Sequence, residues 1–173
     1  LSAQAANYAQ LTPIDHLVRT AEVYGEHLAI VHGDLRQNWR DTFTRCKQLA
    51  AALRQCGIER NHTVAVLLPN TPAMVEAHFG IPMSGGVLCT LNIRLDVEAM
   101  IFCLRHGEAE ILLADTEFAE EVKHIQAALP DLKIIQVNDI LGPETEAFAD
   151  TDYESFLKSA SDFHLCLIGQ KHD

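Results

Sequence analysis

The chain has 173 residues, of which 48% are hydrophobic and 21% are charged, and its formal net charge at pH 7 is −11. This length and composition are typical of about one soluble globular domain that can bury a core. The negative charge argues against nucleic-acid or anionic-membrane partners, because both attract clustered Lys and Arg.

A helix and a β-hairpin are predicted near the start. Residues 12–15 read Thr-Pro-Ile-Asp, which supplies an N-cap, a first helical residue and an acidic capping partner. This helix is predicted to end at Gly25. Residues 28–31 and 35–38 then flank a Gly-Asp turn, which indicates a β-hairpin.

A longer amphipathic helix is predicted next. Asn38 is a suitable N-cap, and Gly57 is a suitable residue just beyond the C-terminus, with Ile58 placed for a hydrophobic contact. Between them, apolar residues recur with nearly helical spacing. They are Phe43, Cys46, Leu49, Ala50, Leu53 and Cys56.

Four apolar runs separated by helical patterns predict the fold class. Residues 63–68, TVAVLL, are apolar almost throughout, as in a strand buried on both faces of a parallel sheet. Further strands are predicted at 87–91, 110–114 and 133–137, with helices at 71–83, 96–106 and 118–129 between the strands. The order predicts an α/β fold: a largely parallel layered sheet with right-handed crossovers and helices on both faces.

The remaining segments complete the predicted domain organisation. The acidic stretch 138–152 is predicted to be a surface loop, and residues 153–158 a short helix. Residues 165–168 could form one more strand or part of a linker. We therefore predict an N-terminal extension at 1–10, one α/β unit at 11–160 and a tail at 161–173.

Cysteine spacing and the absence of targeting patterns bear on location. Five cysteines form no Cys-x-x-Cys pair, and Cys46, Cys56 and Cys103 fall on apolar positions of predicted helices. We expect reduced core thiols in an intracellular protein. No run of about 18 apolar residues predicts a membrane span, and no signal peptide is visible. The compartment stays open between cytoplasm and an organelle such as the peroxisome or mitochondrion.

No common catalytic or metal-binding motif occurs in the sequence. It contains no GxxxxGK[ST] loop, no GxGxxG fingerprint and no GxSxG elbow. Ser84-Gly85-Gly86 is interpreted as a helix-to-strand turn; the alternative, a phosphate cradle, lacks a neighbouring basic residue. The nine histidines match no zinc pattern, so no metal site is predicted.

Four consecutive segments carry a family resemblance. They are LTPIDHLVRTAEVYGEHLAIVHGD (11–34), LRQNWRDTFTRCKQLAAALRQCGI (35–58), VAVLLPNTPAMVEAHFGIPMSGGVLCTLNIRL (64–95) and DVEAMIFCLRHGEAEILLAD (96–115). Together they resemble the N-terminal part of the adenylate-forming, AMP-binding acyl-CoA synthetases. The resemblance extends over residues 11–153, and the third segment is similar to the medium-chain and related acyl-activating branch.

The resemblance implies a two-step ligase reaction. A carboxylate attacks the α-phosphorus of ATP, and the thiol of coenzyme A then displaces AMP from the acyl adenylate. ATP, Mg²⁺ and coenzyme A are the implied cofactors, and a fatty or other carboxylic acid is the implied substrate. The family's phosphate loop, adenine motif, magnesium ligand and catalytic Lys all follow the position of Asp173.

Two hypotheses about the function of the chain follow from this resemblance. The first is an N-terminal fragment of an acyl-CoA synthetase that is inactive alone, with no catalytic residue of its own. The alternative is a truncated, non-catalytic interaction or regulatory protein. Because such a fragment would expose apolar surface, self-association or a homo-oligomer is expected.

Arg94 is the one candidate binding residue. In some relatives, the Arg of an Asn-Pro-Arg-Leu motif contacts a phosphate of coenzyme A. This chain has Asn-Ile-Arg-Leu, with Ile93 in place of Pro. The resemblance therefore implies a coenzyme A contact for Arg94, and the alternative is a structural surface residue.

Overall fold

The computed structural model describes residues 12–143 and 145–160. Helices and strands alternate along most of this part of the chain. In chain order they are α1 (Pro13–Val23), β1 (Leu28–His32), β2 (Leu35–Asn38), α2 (Trp39–Gln55), β3 (Thr63–Leu67), α3 (Pro72–Ser84), β4 (Val87–Thr90), α4 (Val97–His106), β5 (Ala109–Asp115), α5 (Ala119–Ala128), β6 (Lys133–Val137) and α6 (Tyr153–Lys158).

The strands form two sheets. β1 and β2 pair antiparallel as the predicted hairpin. The other four strands form one parallel sheet in the order β4-β3-β5-β6. In its centre, Val64 of β3 lies between Leu88 of β4 and Ile111 of β5. The predicted α/β fold with a largely parallel sheet is confirmed.

Both faces of the parallel sheet are covered by helices. Val64 and Val66 of β3 point to the face that packs against α2, α3 and α6, where Leu53, Ile81 and Phe156 are buried. Ala65 and Leu67 point to the other face, which α4 and α5 cover. This alternation explains why β3 reads as an unbroken apolar run.

Local capping interactions fix where the helices begin and end. Thr12 and Asp15 form the predicted capping box of α1. The Asn38 side chain accepts a hydrogen bond from the backbone N–H of Asp41 at the start of α2. At the end of α2, Gly57 has a φ of 90°, and the N–H of Ile58 donates to the Leu53 carbonyl over 3.0 Å. This is the Schellman geometry that the sequence predicted.

The structure differs from the predictions at a few positions. α5 begins at Ala119, not at Phe118, because a short 3₁₀ turn over Thr116–Phe118 comes first and buries Phe118. The expectation of core cysteines is right for Cys46, which is fully buried. Cys56 and Cys103 are free thiols that pack against the core but are only partly buried. Helical spacing alone does not separate the centre of an apolar stripe from its edge.

Several predictions concern residues that the structure does not describe. The N-terminal extension at 1–10, the tail at 161–173 and the strand or linker at 165–168 all lie outside the described residues. These parts of the predicted domain organisation stay predictions. Among the helices of the described part, none is long and apolar enough to cross a membrane.

Candidate functional site

The carboxyl ends of the four parallel strands define one edge of the sheet. The chain steps from β3 outward to β4, and then crosses back over β3 to β5. Such a reversal of strand order leaves a crevice beyond the strand ends, and ligands of open α/β folds bind at this kind of crevice. The loops that follow β3, β4 and β5 are therefore the first place to look for a site.

A shallow groove lies beyond the ends of β3 and β4. Its volume is about 330 Å³, and both apolar side chains and polar groups line it. The backbone N–H of Leu91 donates to the carbonyl of Val66 over 2.9 Å, which continues the β3–β4 ladder into the loop. The groove is lined by Leu68, Pro69, Asn70, Met74, His78, Thr90, Leu91, Asn92 and Ile93.

Arg94 follows directly after this groove. Its backbone N–H donates to Oδ1 of Asn92 over 2.9 Å, and Asp96 two residues later caps α4. The turn is therefore held at both ends. Arg94 is exposed, and no carboxylate of the described residues pairs with its guanidinium. The geometry leaves this cation available for an anionic group beside the groove.

Asp115 lies at the carboxyl end of β5 and is almost completely buried. Its Oδ1 accepts hydrogen bonds from the backbone N–H of Glu117, over 2.9 Å, and from the Thr116 hydroxyl. Its Oδ2 has no hydrogen-bonding partner among the described residues. Burial raises the pKa of Asp115, and the nearby charge of Asp139 adds to this effect. Folding therefore disfavours the ionised form of the Asp115 carboxylate.

Replacing Asp115 with Asn should therefore stabilise the chain at pH 7. The amide oxygen keeps both hydrogen bonds, and the buried charge is removed. The pKa of Asp115 is raised in the folded state, so ionised Asp115 destabilises the folded chain fully at pH values above that pKa. The destabilisation disappears below the ordinary carboxyl range, where Asp115 is protonated in both the folded and the unfolded state. Urea unfolding at pH 7 and at acidic pH checks this, with Asp150→Asn, at an exposed position, as control. A loss of stability at pH 7 would contradict it.

A side-chain hydrogen bond connects the hairpin to this edge of the sheet. Nε2 of His32, at the end of β1, lies 2.6 Å from Oδ1 of Asp139, which follows β6. Both side chains are mostly buried. The pair fixes the loop after β6 relative to the hairpin. The described residues contain no group of three or more His, Cys, Asp or Glu side chains arranged to hold a metal ion.

The Ser84-Gly85-Gly86 segment lies at the opposite, amino edge of the sheet. The buried Ser84 hydroxyl donates to the Ile81 carbonyl over 2.7 Å and accepts from the N–H of Gly86. Gly85 adopts a left-handed conformation with φ 95°, which closes α3 before β4 begins. These contacts agree with the helix-to-strand turn, and the Ser84 hydroxyl is already engaged.

A buried polar network was not predicted from the sequence. Glu76 of α3 is fully buried, and its Oε1 lies 2.6 Å from Nε of Arg45 on α2. The Tyr153 hydroxyl of α6 donates to Oε2 over 2.9 Å. Gln37 of the hairpin also donates to Glu76. The other side of the Arg45 guanidinium binds both oxygens of Glu154, which is half-exposed. This Glu76 network joins four elements on one face of the sheet.

The one sequence signal for this network is the carboxylate of Glu76 within a largely apolar helix. Burial raises the pKa of Tyr153, and the charge of Glu76 raises it further, so the phenol stays protonated and donates. The network anchors α6, and none of its residues lines the groove beyond β3 and β4. Its role is therefore structural, and the groove with Arg94 is the candidate binding site.

Comparison with known proteins shows the family. The sequence model described as "AMP-binding enzyme" matches residues 17–165. The chain belongs to the AMP-binding enzyme family. Its resemblance to adenylate-forming acyl-CoA synthetases is thereby confirmed.

Similar AMP-binding proteins include two named CoA ligases of Arabidopsis thaliana. A peroxisomal butyrate–CoA ligase is 38% identical over an alignment of 179 residues, and the match covers 97% of this chain and 31% of that protein. A peroxisomal benzoate–CoA ligase is 36% identical over 159 residues, covering 88% of this chain and 27% of that protein. The chain therefore spans about 30% of the length of these curated relatives.

A solved structure shows the same fold. The anthranilate CoA ligase AuaEII, determined in complex with anthranoyl-AMP, superposes with a TM-score of 0.77 at 21% identity. The match covers 91% of this chain and 30% of that chain. At this identity the likeness shows the fold alone. Family membership together with the partial coverage indicates that the chain corresponds to an N-terminal part of an AMP-binding enzyme.

Proposed function

We propose that this chain supplies the N-terminal part of an enzyme that activates a carboxylic acid with ATP and transfers it to coenzyme A. The observation that carries the proposal is the 38% identity to a butyrate–CoA ligase over 97% of the chain. The phosphate loop, the magnesium ligand and the catalytic Lys would come from residues outside this chain. Here the fold supplies the sheet edge, the groove and Arg94.

The acid is proposed to be small, a short aliphatic or an aromatic carboxylic acid. The relatives are named for butyrate and benzoate, which differ in shape but share a carboxylate on a compact apolar body. We therefore propose a short aliphatic or an aromatic acid as the substrate, in place of a long-chain fatty acid. Both relatives are also named as peroxisomal, which supports a peroxisomal or other organellar location for this protein.

A chimera tests this function. In it, the chain replaces the matching N-terminal part of the Arabidopsis butyrate–CoA ligase. We expect the chimera to form butyryl-CoA from butyrate and coenzyme A in the presence of ATP and Mg²⁺. Chromatography of the thioester measures this product. Acetate, benzoate and a long-chain acid tested in parallel report on the substrate class. A folded chimera without thioester formation would favour the non-catalytic alternative.

Arg94 is proposed to bind a phosphate of coenzyme A. In the chimera, Arg94→Ala should raise KM for coenzyme A roughly tenfold to hundredfold, because a charge-assisted hydrogen bond contributes about 1.5–3 kcal/mol. Acid-dependent pyrophosphate exchange, which precedes coenzyme A binding, should stay nearly unchanged. Arg60→Ala is the matched control, since Arg60 is exposed before β3, at the amino edge of the sheet. An unchanged KM in Arg94→Ala would leave Arg94 a structural surface residue.

A further inference from the structure

A second hollow lies at the amino edge of the sheet, away from the groove and Arg94. Its volume is about 590 Å³, and it opens between the amino ends of β5 and β6 and the C-terminal ends of α4 and α5. Arg105, Glu108 and Asp131 contribute charged groups to its wall. Cys56 and Lys133 also line it.

Cys56 and Lys133 lie in direct contact inside this hollow. The Nζ of Lys133 donates a hydrogen bond to the Sγ of Cys56 over 3.0 Å, although the two residues are 77 positions apart in sequence. The amine also lies 6.0 Å from the ring centre of Phe156, at the distance of a cation–π contact. The lysine tip is therefore held beside the sulfur from two sides.

Rigid backbone holds both residues. Cys56 is the C-cap of α2, where its N–H bonds to the carbonyls of Ala52 and Leu53. Lys133 is paired with Ile111 in the parallel sheet. The backbone therefore holds the two residues at a fixed separation while the domain is folded, and at this separation the amine reaches the sulfur.

The other described cysteines have different surroundings. Cys46 is fully buried, and burial raises the pKa of its thiol. Burial also raises the pKa of Cys89, with a further contribution from Cys103. Among the described cysteines, Cys56 is the one with a recorded hydrogen bond to a Lys amine, and it is partly exposed in an open hollow. A small oxidant can therefore reach this thiol.

We propose that Cys56 and Lys133 form a modification site at which a peroxide induces a reversible sulfur–nitrogen cross-link. The peroxide inserts one oxygen into the S–H bond of Cys56, giving a sulfenic acid, and its other oxygen leaves as water. The Lys133 amine, after losing one proton to solvent, attacks the sulfur. The S–N bond forms, the S–O bond breaks, and the hydroxyl leaves as water with a second proton from the nitrogen.

The peroxide is the two-electron oxidant of this reaction. Sulfur gives up two electrons, the peroxide accepts them, and both of its oxygens end in water. The product is a sulfenamide, which a sulfenic acid forms with a nitrogen nucleophile. An added thiol reverses the step: it attacks the sulfur, releases the Lys133 amine and leaves a mixed disulfide, which a second thiol reduces. The cross-link joins the end of α2 to the start of β6.

Peptide mapping of the peroxide-treated chain tests this proposal. We expect a linked peptide containing Cys56 and Lys133, about 2 Da lighter than the two peptides together because two hydrogens are lost. Treatment with dithiothreitol should remove it. Lys133 should also become resistant to amine-acylating reagents after oxidation and regain its reactivity after reduction.

Three variants separate this cross-link from other thiol chemistry. Lys133→Arg keeps the positive charge at an exposed position but removes the amine, so the linked peptide should disappear. Cys56→Ser should abolish it as well, whereas Cys103→Ser should leave its yield unchanged. Recovery of Cys56 only as a disulfide or a sulfinic acid, with Lys133 still acylated, would overturn the proposal. So would an equal mass change in Lys133→Arg.

Discussion

Replacing Glu76 with Ala should lower the free energy of unfolding by about 3 kcal/mol, because a buried donor left without its acceptor costs about 1–3 kcal/mol and Glu76 accepts from more than one donor. Nε of Arg45 loses its 2.6 Å contact, and the buried Tyr153 hydroxyl loses its acceptor. The carboxylate itself is fully buried, so water cannot replace these interactions without entering the core.

Glu154 supplies the matched control for this experiment. It pairs with the same guanidinium, but its side chain is 56% exposed, whereas that of Glu76 is 0% exposed. Glu154→Gln should therefore cost about 1 kcal/mol or less, as exposed pairs do. Urea unfolding monitored by circular dichroism measures both variants. Equal losses in the two would show that burial of Glu76 does not decide the strength of the pair.

Replacing either Leu112 or Leu113 with Ala should cost about 2–5 kcal/mol each, the usual range for a buried leucine in a close-packed core. The two residues are adjacent in β5, and both are fully buried. Leu113 packs with α2, α3 and α6, whereas Leu112 packs with α4 and α5. A strand with only one covered face would show a large effect at one of the two positions.

Leu28→Ala is the control for the leucine pair, since Leu28 is 55% exposed in the hairpin. It should change stability by only about 0.5 kcal/mol. Thermal unfolding of the three variants provides the comparison. A small effect at either Leu112 or Leu113 would contradict the covering of both sheet faces.

Features set by neighbouring residues could be predicted well from the sequence. The Thr12–Asp15 capping box and the Schellman ending at Gly57 depend on residues a few positions apart, so their residue types suffice to indicate them. The parallel sheet could be predicted because residues 63–67 are apolar on both faces of β3. Arg94 was singled out by the family resemblance, and its contact with coenzyme A stays a prediction.

Features that join distant elements could not be predicted in the same way. Glu76 and Tyr153 are 77 positions apart, as are Cys56 and Lys133, and nothing local identifies either partner. The strand order was likewise not predictable, because an apolar run does not specify its neighbour. The raised pKa of Asp115 depends on the packing at the end of β5, which sequence patterns do not describe.

Pyrophosphate exchange tests most directly whether this chain is a working part of an AMP-forming CoA ligase. The measurement follows incorporation of labelled pyrophosphate into ATP, with Mg²⁺ and butyrate, by the chimera and by the 173-residue chain alone. We predict butyrate-dependent exchange by the chimera and none by the chain, because the sequence contains no phosphate-binding loop. Exchange by the chain alone, or a folded chimera without exchange, would contradict the account.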